Sequence, residues 1–213
     1  MTPLLNVNKI SLSFEGVRAL NEVSLKANVG ELVAVIGPNG AGKTSLFNCI
    51  SGLYQPQVGE IFIDQNPILG KRPDQITQLG VARMFQNLAL FDHLTVLENM
   101  LLGCHLHYQS RWWHDILWLS KTRSQEIEQR EYVEHIIDFL NLESVRKIPV
   151  GILPYGILKR VELGRALCMR PKLLLLDEPA AGLNHEETED LARYLLDIKE
   201  QMGITQILIE HEL

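Results

Sequence analysis

Residues 37–44 read GPNGAGKT and satisfy the pattern G-x-x-x-x-G-K-S/T. Glycines let the chain turn so that successive N–H groups converge, and that concavity suits phosphate oxygens. A helix beginning near Lys43 adds the positive end of its dipole. In such a loop Lys43 reaches the β- and γ-phosphates and Thr44 offers a hydroxyl to Mg2+. A chance match in a chain of 213 residues is about a one-in-a-hundred event at average composition. The second piece of chemistry is LLLLDEP, residues 173–179. Mg2+ keeps most of its waters and takes one or two carboxylates, and an apolar strand ending in Asp177 can supply one. Glu178, next in line, can accept a proton from an attacking water. Strands often end in acidic residues, so this pair gains its meaning only beside the phosphate loop.

Those residues need elements to hold them. ELVAVIG, ahead of the loop, is short, apolar and β-branched, as a buried strand should be. KTSLFNCISGL behind it has a helical pattern. LLNVNKI, SLSF and EVSLKA read as strands with turns between, and GEIFIDQNPI as a strand, a turn and a second strand. From about Leu94 to Leu142 the pattern is helical, with Val133, Ile136, Ile137 and Leu140 on one stripe. KLLLLDEP and QILIE are further buried strands. Between them Asn184 and Glu187 form a capping box, and Leu191, Leu195, Ile198 and Met202 mark one helix face. The order predicts an α/β fold: a parallel-sheet core with an antiparallel β edge and an inserted α-helical subdomain.

Bulk properties narrow the partners. The chain is 46% hydrophobic with net charge -6, which speaks against a general nucleic-acid binder, since those carry basic stripes. Cys49, Cys104 and Cys168 are too scattered for a zinc pattern and suit a reducing cytosol. Cys104, His105 and His107 do not complete a ligand set. No apolar run approaches the roughly 18 residues of a membrane span, and the first ten residues do not read as a signal peptide. The expectation is a protein soluble by itself that reaches a membrane through a partner.

With these motifs in place the sequence resembles the nucleotide-binding subunit of an ATP-binding cassette (ABC) transporter, a P-loop NTPase. GPNGAGKTSLFNCISGLYQPQVGEI, VARMFQNLALFDHLTVLENM and LLLLDEPAAGLN resemble the branched-chain amino acid uptake branch. The resemblance implies ATP and Mg2+ as cofactors. It implies one cassette, with residues 1–90 and 170–213 as ATPase core and about 91–169 as helical subdomain. It assigns Gly37, Pro38, Asn39, Gly40, Ala41, Gly42, Lys43, Thr44 and Ser45 to the Walker A loop and Asp177 to the metal. It places Phe14 against adenine, with a core Phe as the lesser alternative. Gln86 matches the glutamine that touches Mg2+ and the water. AAGLN matches the loop that crosses to a second subunit, and His211 matches the histidine that contacts the γ-phosphate.

The family also carries a signature, typically Leu-Ser-Gly-Gly-Gln, at a helix start facing ATP on the other subunit. Residues 153–157, LPYGI, fall at that place, and KRVELGRAL continues the match. Gly156 is kept, while Pro154, Tyr155 and Ile157 replace serine, glycine and glutamine. The N–H groups after Pro154 can still face a phosphate, so recognition shifts from side chains to backbone. A plain helix start without ligand is the alternative. Ser45 and Glu212 are smaller departures, and related subunits continue through helices beyond the point where this chain stops. All three tryptophans lie in RWWHDILWL, where Trp112, Trp113, Ile116, Leu117 and Leu119 form either core packing or a contact face for a membrane subunit.

The resemblance implies an ATPase at the cytoplasmic face of the bacterial inner membrane. Its partners are a second ABC subunit, transmembrane permeases and, indirectly, a substrate-binding protein. Its cargo is branched-chain or related amino acids. The alternatives are a soluble ABC ATPase acting on ribosomes or nucleic acid, and a lipopolysaccharide-export ATPase.

Overall fold

The computed structural model of the protein describes residues 3–84, 88–104 and 119–210, leaving aside the side chains of 119–126. The chain divides into two compact units, one of residues 1–86 and 171–213 and the other of residues 87–170. No helix among the described residues is long and apolar enough to cross a membrane.

The first unit holds two four-stranded sheets. The antiparallel one runs β2-β1-β4-β5 and contains β1 (Leu5–Phe14), β2 (Val17–Ala27), β4 (Val58–Ile63) and β5 (Asn66–Pro67). Alternation decides which face of β1 is buried, and it changes phase once: Leu5 and Val7 are buried, then Ile10 and Leu12. The extra residue is absorbed where pairing with β2 steps from Val7↔Leu25 to Ile10↔Val23, and Lys9 there has φ 45°. A bulge of this kind keeps Leu5, Val7, Ile10 and Leu12 on the core face.

The parallel sheet runs β3-β8-β7-β6, with β3 (Leu32–Ile36), β6 (Val81–Met84), β7 (Leu173–Asp177) and β8 (Thr205–Glu210). β7 lies between two strands and is buried along its whole length. Among the described residues β3 pairs only with β8, and Ile36 is 51% exposed, so the expectation of a buried strand at ELVAVIG is corrected. Its apolar run reads like that of β7, yet its edge position leaves part of it uncovered. Helix α1 (Lys43–Ile50) inserts Phe47 and Ile50 into a core shared by both sheets, with Leu5, Val7, Leu173, Leu175 and Ile207. A short helix α2 (Pro73–Gln78) leads into β6. Helix α6 (His185–Met202) starts at the Asn184–Glu187 capping box, in which each side chain accepts from the other residue's N–H. Leu191, Leu195 and Ile198 are its buried face.

The second unit is helical: α3 (Val96–Gly103), α4 (Leu119–Phe139) and α5 (Tyr155–Cys168). Val133, Ile136, Ile137 and Leu140 are buried, each contributing on the order of 1.5–3 kcal/mol of apolar transfer. Glycine sets how closely α3 and α5 approach. A Cβ on Gly103 would lie 2.3 Å from the Arg165 carbonyl, and one on Gly164 would lie 2.7 Å from Met100 Cε. That approach brings two of the scattered cysteines together, and the Cys104 thiol donates to the Cys168 carbonyl at 3.6 Å.

Candidate functional site

The parallel register brings the loop and the carboxylates to one edge. Ile36 of β3 pairs with Glu210 of β8, and Asp177 of β7 pairs with Ile209 of β8. The chain therefore leaves β3 into the glycine loop, and β7 into Glu178, at the same C-terminal end of the sheet. Open α/β sheets bind ligands at this end.

Two glycines shape the loop. Gly40 has φ 80° and Gly42 has φ 86°, a region that L side chains avoid. Gly42 is constrained a second time, because a Cβ there would lie 2.3 Å from the Ala19 carbonyl of β2. It is also the N-cap of α1, and no side chain caps that helix, so the N–H groups of its first turn form the positive end of the dipole. The Ala41 N–H donates to the Pro38 carbonyl at 3.2 Å. The Lys43 ammonium donates to the carbonyls of Gly37 and Pro38 and so straps the loop. Pro38, Asn39, Gly40, Ala41 and Thr44 are exposed, and Gly37 and Ser45 are half-buried. One turn further on, Cys49 is a core thiol whose pKa burial pushes up to about 11, which keeps it unreactive near neutral pH.

Asp177 is buried, and its Oδ2 accepts from Arg83 Nη2 at 2.7 Å. Among the described residues no donor reaches its Oδ1, which is also buried. An unsatisfied buried carboxylate oxygen costs free energy unless something outside the chain satisfies it. A hard divalent cation is suited to that oxygen, and the exposed Thr44 hydroxyl is a second oxygen donor. The donor set thus fits Mg2+. Glu178 has φ 49° and its N–H donates to the Ile209 carbonyl at 3.0 Å. A left-handed backbone at a non-glycine residue stores strain of about 1–3 kcal/mol and concentrates at functional sites.

Phe14 ends β1 and is 44% exposed, which removes the reading of it as a core residue. Its ring meets that of Tyr54 edge-on, with centroids 5.0 Å apart. Tyr54 was not picked out from the sequence. Arg83 was also missed, although a cation within VARM, an otherwise buried strand, was a legible signal. Gln86, His211 and the tryptophans lie outside the described residues.

In the helical unit, Pro154 is the N-cap of α5 with φ −59° and ψ 152°, and no side chain caps that helix. Tyr155 is 41% exposed and Gly156 is buried. Ile157 and Leu158 are half-buried. Lys159, 1% exposed, lies 5.7 Å from the Tyr155 ring centroid and 4.0 Å from Glu162.

Comparison with known proteins gives this geometry a family. The model of the ABC transporter family matches residues 20–181, which takes in both the glycine loop and the carboxylate strand. The high-affinity branched-chain amino acid transport ATP-binding protein BraF of Pseudomonas aeruginosa is 39% identical over 99% of this chain and 83% of its own. LivG of Escherichia coli, which bears the same description, is 36% identical over the same shares. Among solved structures, the ADP conformation of MJ1267, an ATP-binding cassette of an ABC transporter, superposes with a TM-score of 0.85 at 33% identity. It is matched over 100% of this chain and 83% of that one. A dimeric cassette, MJ0796 bound to ADP and Pi, matches with a TM-score of 0.79 at 25% identity, over 98% of this chain and 88% of that one. A phosphate loop, a carboxylate strand and a helical unit are here joined in one order, matched over nearly the whole of this chain, and the chain belongs to the ABC transporter family.

Proposed function

We propose that the protein is the ATP-hydrolysing subunit of a bacterial importer for branched-chain or related amino acids. The chemistry rests on one observation: the strand ends bring the glycine loop and the Asp177–Glu178 pair to a single sheet edge. The cargo rests on the identity with BraF and LivG over 99% of the chain. That identity favours this cargo over an action on ribosomes or nucleic acid and over lipopolysaccharide export.

In this reading residues 37–42 and the first turn of α1 bind phosphate oxygens through backbone N–H groups. Lys43 exchanges the Gly37 and Pro38 carbonyls for the β- and γ-phosphates. Thr44, Gln86 and Asp177 Oδ1 would hold Mg2+, which neutralises phosphate charge when bound. Glu178 accepts the proton of the water that attacks the γ-phosphate, giving ADP and inorganic phosphate. His211 donates to the γ-phosphate, and Phe14 stacks on adenine at about 1–3 kcal/mol. Pro154, Tyr155 and Gly156 face the ATP of a second ABC subunit. Pairing on ATP and separation after hydrolysis drive transmembrane permeases that hold this subunit at the cytoplasmic face of the inner membrane. A substrate-binding protein acts on the complex through those permeases.

The test is ATPase activity in the complex with its permeases. Leucine-loaded binding protein should stimulate the wild type, and indifference to leucine, isoleucine and valine would remove the cargo assignment. Glu178→Gln should keep ATP binding and lower hydrolysis by about 10²–10⁴-fold. Turnover near that of the wild type would show that another group takes the proton.

A further inference from the structure

Arg83 has no role in the chemistry above, yet it is a buried and heavily engaged cation beside it. It stands in β6, next to β7. Its side chain is 7% exposed and that of Asp177 2%. Nη2 donates to Asp177 Oδ2 at 2.7 Å. Nη1 donates to Asn48 Oδ1 at 2.6 Å and to Ser51 Oγ at 3.2 Å. The Ser51 hydroxyl in turn donates to the Phe47 carbonyl at 2.6 Å. The guanidinium carbon lies 5.7 Å from the centroid of the Phe47 ring. One guanidinium thus ties the carboxylate of β7 to the second half of α1, the helix whose first turn carries Lys43 and Thr44.

Two consequences follow from a cation held in this way. The first is orientation. With Oδ2 bonded to Arg83, Asp177 has Oδ1 left for another ligand, so it binds as a one-oxygen donor. The second is electrostatic. Arg83 places a positive charge against the carboxylate that would hold the cation, and like charges repel. Arg83 also offsets the buried charge of Asp177 through Oδ2, which leaves Oδ1 as the one carboxylate oxygen for a cation to satisfy.

Building on the metal role given to Asp177 above, we propose that Arg83 is a positioning residue that shares this carboxylate with the divalent cation. It weakens the site for the cation alone and makes metal uptake depend on the nucleotide.

Mn2+ titration followed by electron paramagnetic resonance reads this without any turnover. The wild type without nucleotide should take up no Mn2+ in the micromolar range, and micromolar binding there would overturn the proposal even if no variant folds. Arg83→Gln keeps a donor for Asp177 and removes the charge. With the repelling charge gone it should bind Mn2+ about tenfold more tightly, with or without ADP. Its melting temperature should fall without metal and recover with Mn2+ more than that of the wild type. Arg83→Lys, which keeps the charge, should stay within about threefold of the wild type. A melting temperature that falls in Arg83→Gln with unchanged Mn2+ affinity would make Arg83 a purely structural ion pair and sink the proposal. The double variant Arg83→Gln with Asp177→Asn separates the two readings. If it loses the added affinity, the cation sits at Asp177. If it keeps that affinity, the metal assignment of Asp177 itself fails.

Discussion

Helices α1 and α5, one in each unit, begin without a side-chain cap, and they do so by different means. α1 starts from Gly42 in a left-handed conformation. α5 starts from Pro154 in an extended conformation that most residues can adopt. At Gly42 the sequence has no freedom, since both the sign of φ and the Ala19 carbonyl forbid a side chain. At Pro154 the backbone asks for little. This difference accounts for where the sequence departs from its family. The glycine loop keeps the full pattern, while residues 153–157, if they serve as the proposed signature, hold Pro154, Tyr155 and Ile157 in place of serine, glycine and glutamine. A helix N-terminus faces a phosphate with N–H groups, and those come with the backbone whatever the side chains are.

The sharpest way to break the comparison is a single methyl group at Gly42. Gly42→Ala places a Cβ at φ 86° and 2.3 Å from a carbonyl oxygen. Left-handed strain of about 1–2 kcal/mol and overpacking of about 1–3 kcal/mol add up to a large share of a domain's stability. Urea denaturation should show a loss of about 3 kcal/mol, and ATP binding to the single subunit should disappear. A variant with wild-type stability and ATP affinity would show that the loop can move away from β2.

Pro154→Ser is the matching change at the other helix, with a smaller effect of opposite sign. At φ −59° and ψ 152° a serine hydroxyl can accept from the N–H of the second or third helical residue. A cap of this kind contributes about 0.5–2 kcal/mol. Losing proline loosens the unfolded chain at a cost of about 0.4–1 kcal/mol. The cap wins by a small margin, so stability should rise by about 0.5 kcal/mol. A fall in the urea midpoint would mean that the start of α5 depends on the proline ring. Nucleotide affinity of the single subunit should not change, because Pro154 is assigned to the ATP of the other subunit.

The same contrast explains how much of the molecule was legible in its sequence. Features that rest on one local rule were readable: the glycine loop, the LLLLD strand, the Asn184–Glu187 cap and the stripe from Val133 to Leu140. Features that depend on distant neighbours were not. ELVAV and LLLLD have the same texture, yet only β7 is flanked on both sides, so only β7 is fully buried. Phe14 could not be told from a core residue until the end of β1 was placed. Cys104 and Cys168 looked scattered because the close crossing of α3 and α5 is set by Gly103 and Gly164, not by sequence distance. Arg83 lies 94 residues from the carboxylate it holds, and no periodicity links the two.

The smallest expected effect compares these bare helix starts with one that is capped. α3 begins at Thr95, whose N–H and hydroxyl both donate to Glu98 Oε2 at 2.8 Å. The Glu98 N–H returns a bond to Thr95 Oγ1 at 3.2 Å. These donors, the Thr95 amide first, hold the Glu98 carboxyl below the usual carboxylate range. A folded-state pKa depressed in this way means that the folded state prefers the charged form. The contribution is therefore fully present above the ordinary glutamate pKa of about 4.3. It is lost as pH falls through the depressed folded value, where the folded state also takes up the proton. Glu98→Ala should lower the melting temperature at pH 7. The gap to the wild type should narrow on acidification below the ordinary glutamate range. A gap that stays constant across that interval would place the stabilisation in the neutral Thr95 hydroxyl, and α3 would then differ from α1 and α5 by an uncharged cap alone.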